Sequence, residues 1–567
     1  MYRSLVLGLA GLASLAVGQL NADITGNIST ATTTTGIVFT SNITSNGISV
    51  FKGIPYAQPP IDDLRWRAPR PVAPWAHRLN ATSTTVGCWE FAGANSTDTV
   101  SEDCLYLNVW TPAKYASEGL AVMFWIHGGG FNALSGIAPL EEGVHLAARD
   151  VVVVSINYRL GNFGFLAHSG LDAEDPVGNS GNFGLQDMIE ALRWVKGNIR
   201  AFGGNPDNIM VFGESAGGHA VPLLMASPLS EGLFAKAMCS SGAWWDSEHG
   251  NMESFNQSRQ RGERWANSVV GAGATLESLR AIPAWVVQNT SFWAQLDPGT
   301  TAFSANIDHY VIPELVPKVF AEGRQMKVPM LAGHNAREDT YFQQRAINYT
   351  SSRIFNGKLF SFLNQTSLSE DVIRDGMGRY YPATNTTNAQ ISSFLWTADL
   401  VIAEQTWEAL HLHQKMTHQP SWLYFFNFTS DFSPIAGHGT DLPYIFGTLK
   451  PFGTATHGLP TASDRSMSSY MLTYYTNFAK TSNPNKPDNL NGTLPVWPAY
   501  EACEGKSICS RGTCGPKQRC TFELRDPPQK QEHDFSRFEF IQSWRSNGAF
   551  PAGWHEFVAN DGFPLSL

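Results

Sequence analysis

Charge is scarce in this chain. Asp, Glu, Lys and Arg make up 16% of its 567 residues, against roughly 25% for an average soluble protein. The balance is acidic, net −10, and no basic run occurs, so nucleic acid is not an expected partner. Beyond the first residues no stretch reaches the roughly 20 apolar residues that a bilayer-spanning helix needs. The end, Asp561 to Leu567, lacks the hydrophobic tail of a lipid-anchor signal. Internal repeats, low-complexity blocks and a dividing linker are missing too. No Cys-x-x-Cys pair occurs, which disfavours structural zinc, and no metal or organic cofactor is expected.

With so few charges, something else must keep the surface wet. Eleven Asn-x-Ser/Thr triplets start at Asn27, Asn42, Asn80, Asn95, Asn256, Asn289, Asn348, Asn364, Asn385, Asn427 and Asn491, and glycosylation there is the expectation. It agrees with the start of the chain, where Met1 to Arg3 is a short positive end, Leu5 to Val17 is apolar, and Ala16-Val-Gly18 is a small-x-small cleavage site. The reading is a signal peptide over 1–18 and a secreted protein with no stable membrane anchor. Length alone suggests several domains. The lack of a linker argues instead for one domain over 19–567, with long insertions between its elements.

Seven cysteines fit an oxidising compartment. Cys88 and Cys104 are close enough to close a short loop, worth about 3 kcal/mol in the chain-entropy model. Cys503, Cys509, Cys514 and Cys520 crowd one stretch, and their pairing has three possibilities that spacing does not separate. Cys239 is left over in the apolar run Ala235 to Cys239 and reads as a buried thiol.

Residues 19–50, rich in Thr, Ser and Asn, read as short strands and turns. The middle of the chain alternates strands and helices. Ala121–Ile126 and Val151–Ile156 are continuous apolar runs, as expected for strands buried on both faces. From Asn182 to Ala201 the spacing is helical, with Leu185, Met188, Ile189, Leu192 and Val195 on one side. Ile209–Phe212, Val328–Leu331 and Trp422–Phe426 are further strands, and 340–420 reads as helical cover for one sheet edge. The pattern predicts an α/β fold with a large, mostly parallel sheet and helices on both faces.

Two glycine-rich turns carry the chemistry. Gly213-Glu-Ser215-Ala-Gly217 follows the strand ending at Phe212 and opens a helix. A sharp strand-to-helix turn there exposes a serine hydroxyl near the helix N-terminus. His127-Gly128-Gly129-Gly130 follows the strand ending at Ile126. The N–H groups of Gly128 and Gly129, with that of Ala216, are candidate donors to a developing oxyanion. His127 itself reads as structural. Serine needs a base and an orienting acid, which follow it in the order acid, then histidine, in this arrangement. Among the downstream histidines, His411, His413 and His418 lie in the helical stretch and read as surface residues. His438, between Gly437 and Gly439 after a strand, stands out as the base. Glu338 and Asp339 are both candidate acids, and chemistry alone does not choose between them.

Phe51-Lys-Gly-Ile-Pro-Tyr56, Glu102-Asp-Cys-Leu-Tyr-Leu-Asn108, Asn157-Tyr-Arg-Leu-Gly161, Phe202-Gly-Gly204, the serine turn and Asp441-Leu-Pro-Tyr-Ile-Phe-Gly447 together resemble the type-B carboxylesterase and cholinesterase-like lipase family. The resemblance spans roughly residues 30–560 and implies the α/β-hydrolase fold. It selects Glu338, from its place in Gly333 to Phe342, and His438, from the His-Gly pair before Asp441. It also implies a Cys88–Cys104 disulfide, ion pairs Arg159–Asp187 and Arg65–Glu102, and a pocket lined by Glu214 and Tyr341.

Three features depart from that family. Asp339 stands where a glycine usually follows the acid, the usual second disulfide has no cysteines, and the Cys88–Cys104 loop is short and acidic. The expected function is therefore a secreted serine carboxylic ester hydrolase. Its substrates would be soluble short- to medium-chain or secondary-metabolite esters, bound as small molecules. Lipase or sterol esterase, metabolite acyltransferase or lactonase, and a non-catalytic adhesion module are the alternatives.

Overall fold

The computed structural model describes residues 26–544 apart from 84–85, 91–98, 244–251, 294–303, 341–348, 453–457 and 501–517. Ten strands make the central sheet. They are β1 (Ser49–Pro55), β2 (Tyr106–Thr111), β3 (Leu120–Ile126), β4 (Val151–Ile156), β5 (Gly204–Glu214), β6 (Lys236–Ser240), β7 (Met330–Asn335), β8 (Ser421–Phe426), β9 (Gln518–Leu524) and β10 (Gln529–Asp534). Their spatial order is β10-β9-β8-β7-β6-β5-β3-β4-β2-β1. The six neighbouring pairs from β4–β3 to β8–β9 are parallel. The pairs β1–β2, β2–β4 and β9–β10, toward the two edges, are antiparallel.

Side chains alternate between the faces of each strand, and both faces are apolar. Phe124, Ile126, Val152, Val154, Ile209 and Val211 belong to one core layer. Met123, Trp125, Val151, Val153, Met210 and Phe212, their neighbours in sequence, belong to the other. That is why the runs at 121–126 and 151–156 are continuous rather than alternating. Each layer is closed by helices. On the first face, α1 (Phe183–Asn198) inserts Leu185, Met188, Ile189, Leu192 and Val195, the five residues its spacing singled out. Here also lie α2 (Ala216–Ala226) and the stretch α3 (Ser352–Leu363), α4 (Glu370–Tyr380), α5 (Thr386–Ala398) and α6 (Glu404–Thr417). A π-turn, Asp399–Ala403, joins α5 to α6. On the second face, α7 (Ala462–Thr481) contributes Met467, Met471, Tyr474, Tyr475 and Phe478.

Both expected ion pairs form. Arg159 Nε and Nη2 each donate to Asp187 at 2.7 Å, fully buried. Arg65 Nε and Nη2 donate to Glu102 at 2.6 and 2.5 Å. Cys88 and Cys104 are disulfide-bonded, and Cys239 is a buried free thiol. Cys503, Cys509 and Cys514 lie outside the described residues, as do residues 1–25 and so the expected signal peptide. One histidine assignment is corrected. His413 is buried rather than at the surface, because that face of α6 packs toward β7, and its Nε2 lies 2.8 Å from Val328 O. Among the described residues no helix is long and apolar enough to cross a membrane.

Candidate active site

β5 runs into α2 with Ser215 at the turn, at φ 55° and ψ −123°. A side-chain-bearing residue at positive φ costs about 1–3 kcal/mol and persists only where its surroundings over-determine it. Here the Ser215 N–H donates to Ser240 O at 3.0 Å, and Ser215 O accepts from His219 N–H at 2.8 Å. The glycines permit close packing. A Cβ on Gly217 would stand 2.0 Å from Ile126 O, so the start of α2 rests on the end of β3. A Cβ on Gly128 would stand 3.1 Å from Ser215 Cβ, so the turn after β3 lies against the serine. Ala216 opens α2, and the first-turn N–H groups of a helix have no partner within it.

Two loops at the carboxyl ends of neighbouring parallel strands reach the serine. Glu338 begins a short helical turn after β7, and His438 lies between two glycines after β8. His438 Nε2 lies 2.9 Å from Ser215 Oγ, and its Nδ1 lies 2.6 Å from Glu338 Oε2. The other oxygen of Glu338 accepts from Asn335 N–H at 2.6 Å and Ser241 Oγ at 2.7 Å. Asn335 Nδ2 donates to Gly437 O at 2.7 Å and to Asp441 Oδ1 at 3.1 Å, tying the acid's strand to the histidine's loop. Sequence reading missed Ser241 and Asn335. The only local sign was the Ser-Ser-Gly at 240–242, ending an apolar strand.

Of the two candidate acids, Glu338 meets the imidazole. Asp339, 1% exposed, is turned to Arg337, which holds both its oxygens at 2.8 Å. Glu214, 4% exposed, brings Oε1 to 3.5 Å from His438 Nε2. Burial pushes the Glu214 carboxyl up to about 8, and Asp441, Glu338 and Glu141 add to this against His438. Burial pulls His438 down, but Glu214, Glu338 and Asp441 outweigh it and carry the imidazole up to about 9. Burial also raises Glu338, and the charge and hydrogen bond of His438 reverse this, leaving its carboxyl below the usual value. These shifts share one origin. Three buried carboxyl groups, Glu214, Glu338 and Asp441, surround one imidazole, and their negative charge favours its protonated form. Such a constellation can relay a proton from a serine hydroxyl to an imidazole and stabilise the resulting charge.

His127 stands apart from this relay. Its ring stacks on Tyr158 at 4.3 Å, its Nδ1 lies 2.9 Å from Gly128 O, and burial lowers it to about 4. It braces the turn, as its sequence position suggested. Tyr341 lies outside the described residues, as do Asn95 and Asn348. Among the other triplet asparagines, Asn42, Asn80, Asn256, Asn289, Asn364, Asn385, Asn427 and Asn491 are exposed. Asn27 is only 7% exposed, which leaves a glycan little access. Asn385 caps α5, and Asn427 Nδ2 donates to Glu523 at 2.9 Å. Among the described residues no cluster of three or more His, Cys, Asp or Glu is arranged to hold a metal.

The chain is similar to known proteins. The carboxylesterase family pattern matches residues 27–518. A fumonisin B1 esterase of Sphingopyxis macrogoltabida is 34% identical over 471 residues, covering 80% of this chain and 82% of that protein. A para-nitrobenzyl esterase of Bacillus subtilis is 33% identical, covering 81% and 90% respectively. A solved PNB esterase structure superposes with a TM-score of 0.74 at 30% identity, over 91% of this chain and 99% of that one. With the family pattern spanning most of its length, the chain belongs to the carboxylesterase family, carboxylic ester hydrolases of the α/β-hydrolase fold.

Proposed function

We propose that the protein is a secreted serine esterase for small soluble esters, with Ser215 as nucleophile, His438 as base and Glu338 as orienting acid. One observation carries this reading. Ser215 Oγ, His438 and Glu338 form a continuous relay, with steps of 2.9 and 2.6 Å, that runs from a buried glutamate to a half-buried, strained serine. His438 takes the hydroxyl proton as Ser215 attacks the ester carbonyl, and Glu338 stabilises the imidazolium. The N–H groups of Gly128, Gly129 and Ala216 receive the oxyanion. His438 returns the proton to the leaving alcohol, and water then releases the acid from the acyl-enzyme by the same route. Glu214 borders the base and helps set its proton affinity.

Two observations favour soluble esters. The disulfide closes across only 16 positions, too few for a long amphipathic lid. Two relatives are named for small molecules, fumonisin B1 and a para-nitrobenzyl group. The loop's acidity is a weaker argument than its sequence suggested, because Glu102 is turned inward to Arg65 and Asp103 accepts from Tyr106 OH. Export is supported by the charge-poor composition and the exposed triplet asparagines. The test is hydrolysis of p-nitrophenyl acetate, butyrate and palmitate, beside emulsified long-chain triglyceride. Turnover favouring the short esters, without a jump at the emulsion interface, supports the proposal. Interfacial activation by the triglyceride overturns it.

A further inference from the structure

An oxyanion donor works only if it is fixed before the charge develops, yet glycine is the residue least able to fix itself. Gly128 and Gly129 are therefore held by the next turn of the chain, residues 130–136. Asn132 and Ala133 N–H both donate to Gly129 O at 2.9 Å, and Asn132 Nδ2 donates to Gly130 O at 2.5 Å. This turn is itself strained, with Phe131 at φ 58° and Leu134 at φ 71°. It presses on the donors: a Cβ on Gly129 would meet Ala133 O at 2.1 Å and Leu134 Cγ at 3.0 Å. Two side-chain bridges secure the turn, and both lead to the disulfide loop. Asn157 Oδ1 accepts from Gly136 N–H at 2.9 Å, while its Nδ2 donates to Val86 O at 2.9 Å and Cys104 O at 3.1 Å, at the loop's two ends. Glu90, two residues past Cys88 and 8% exposed, accepts from Leu134 N–H at 3.1 Å through Oε2.

We propose that Glu90 is a positioning residue for ester hydrolysis: its carboxylate, carried on the Cys88–Cys104 loop, pins Leu134 and so sets the turn that aims Gly128 and Gly129. The inference rests on the reading of those two glycines as oxyanion donors. Reach matters more than charge, since what Leu134 needs is an acceptor at a fixed distance. A misplacement on the order of 1 Å near a reacting centre costs about 100-fold.

The test compares Glu90→Gln, Glu90→Asp and Glu90→Ala, with p-nitrophenyl acetate as substrate and a trifluoromethyl ketone as transition-state analogue. Glu90→Gln keeps the acceptor and the reach and is expected within about 3-fold of wild type in kcat. Glu90→Asp keeps the charge and loses the reach. It and Glu90→Ala are expected to lose about 10- to 100-fold in kcat with KM little changed, and to bind the ketone more weakly by a similar factor. If Glu90→Ala does not fold, the Gln and Asp pair still decides. Wild-type kcat in Glu90→Asp overturns the proposal, and so does a loss of kcat with ketone affinity unchanged. A wild-type enzyme that binds the ketone no more tightly than its ester overturns the oxyanion reading beneath it.

Discussion

His438 sits among three carboxylates that solvent does not screen, so its proton affinity is where single residues control this site. Protonated, it cannot accept the Ser215 proton, so activity is lost as pH falls through its pKa. That pKa is raised, and the acidic limb of kcat/KM is expected to lie on the alkaline side of an ordinary histidine. Glu214 is the foremost of the raising charges. Glu214→Gln removes a negative charge, destabilises the imidazolium, and should move the limb to lower pH. A limb that stays or moves up in a pH–rate profile would contradict this assignment. Asp339→Asn should change kcat/KM less than about 3-fold, because Arg337 already neutralises that carboxylate; a change of about tenfold or more in steady-state rates would show that it acts on His438. Ser215 and His438 are legible from local pattern, a serine and a histidine each set between glycines next to a strand. Ser241 and Asn335 are not, because their roles exist only once β6 and β7 lie side by side, with Ser240 opposite Gly333.

The elements explain why the serine turn tolerates so little change. Gly217→Ala would place a methyl group 2.0 Å from Ile126 O, against backbone that cannot yield. The expected result is insoluble protein or a loss of about 3 kcal/mol or more in denaturant unfolding, with activity lost in parallel. Asp187→Ala removes the partner of a fully buried guanidinium. It should cost about 3–5 kcal/mol, an uncompensated buried charge being worse than an absent pair. A denaturation midpoint matching wild type would mean that Arg159 finds another acceptor. The interior strands β3, β4, β5, β7 and β8 were legible because burial on both faces leaves uninterrupted apolar runs, whereas β6, equally buried, was read only as the apolar run around Cys239. The polar strand β10, Gln-Lys-Gln-Glu-His-Asp, was not, since an antiparallel edge strand need be apolar on neither side. His413 was misread for a related reason: helical spacing fixes which residues share a face, not which face meets the sheet.

At the scale of the whole molecule, one sheet brings four distant segments to a common edge. Gly128 follows β3, Ser215 follows β5, Glu338 follows β7 and His438 follows β8, all parallel strands whose carboxyl ends point the same way. A site at the carboxyl ends of parallel strands follows from that topology. The strand order itself is set by long-range pairing, and alternation along the chain indicates only that the sheet is mostly parallel. Everything proposed for this site depends on Ser215 being the nucleophile, and p-nitrophenyl acetate hydrolysis by purified wild type and Ser215→Ala tests that with the fewest intervening steps. Steady turnover is expected from wild type, and in the variant a loss of about 10³-fold or more, up to about 10⁶-fold as in related triads. Equal rates from the two proteins would contradict it.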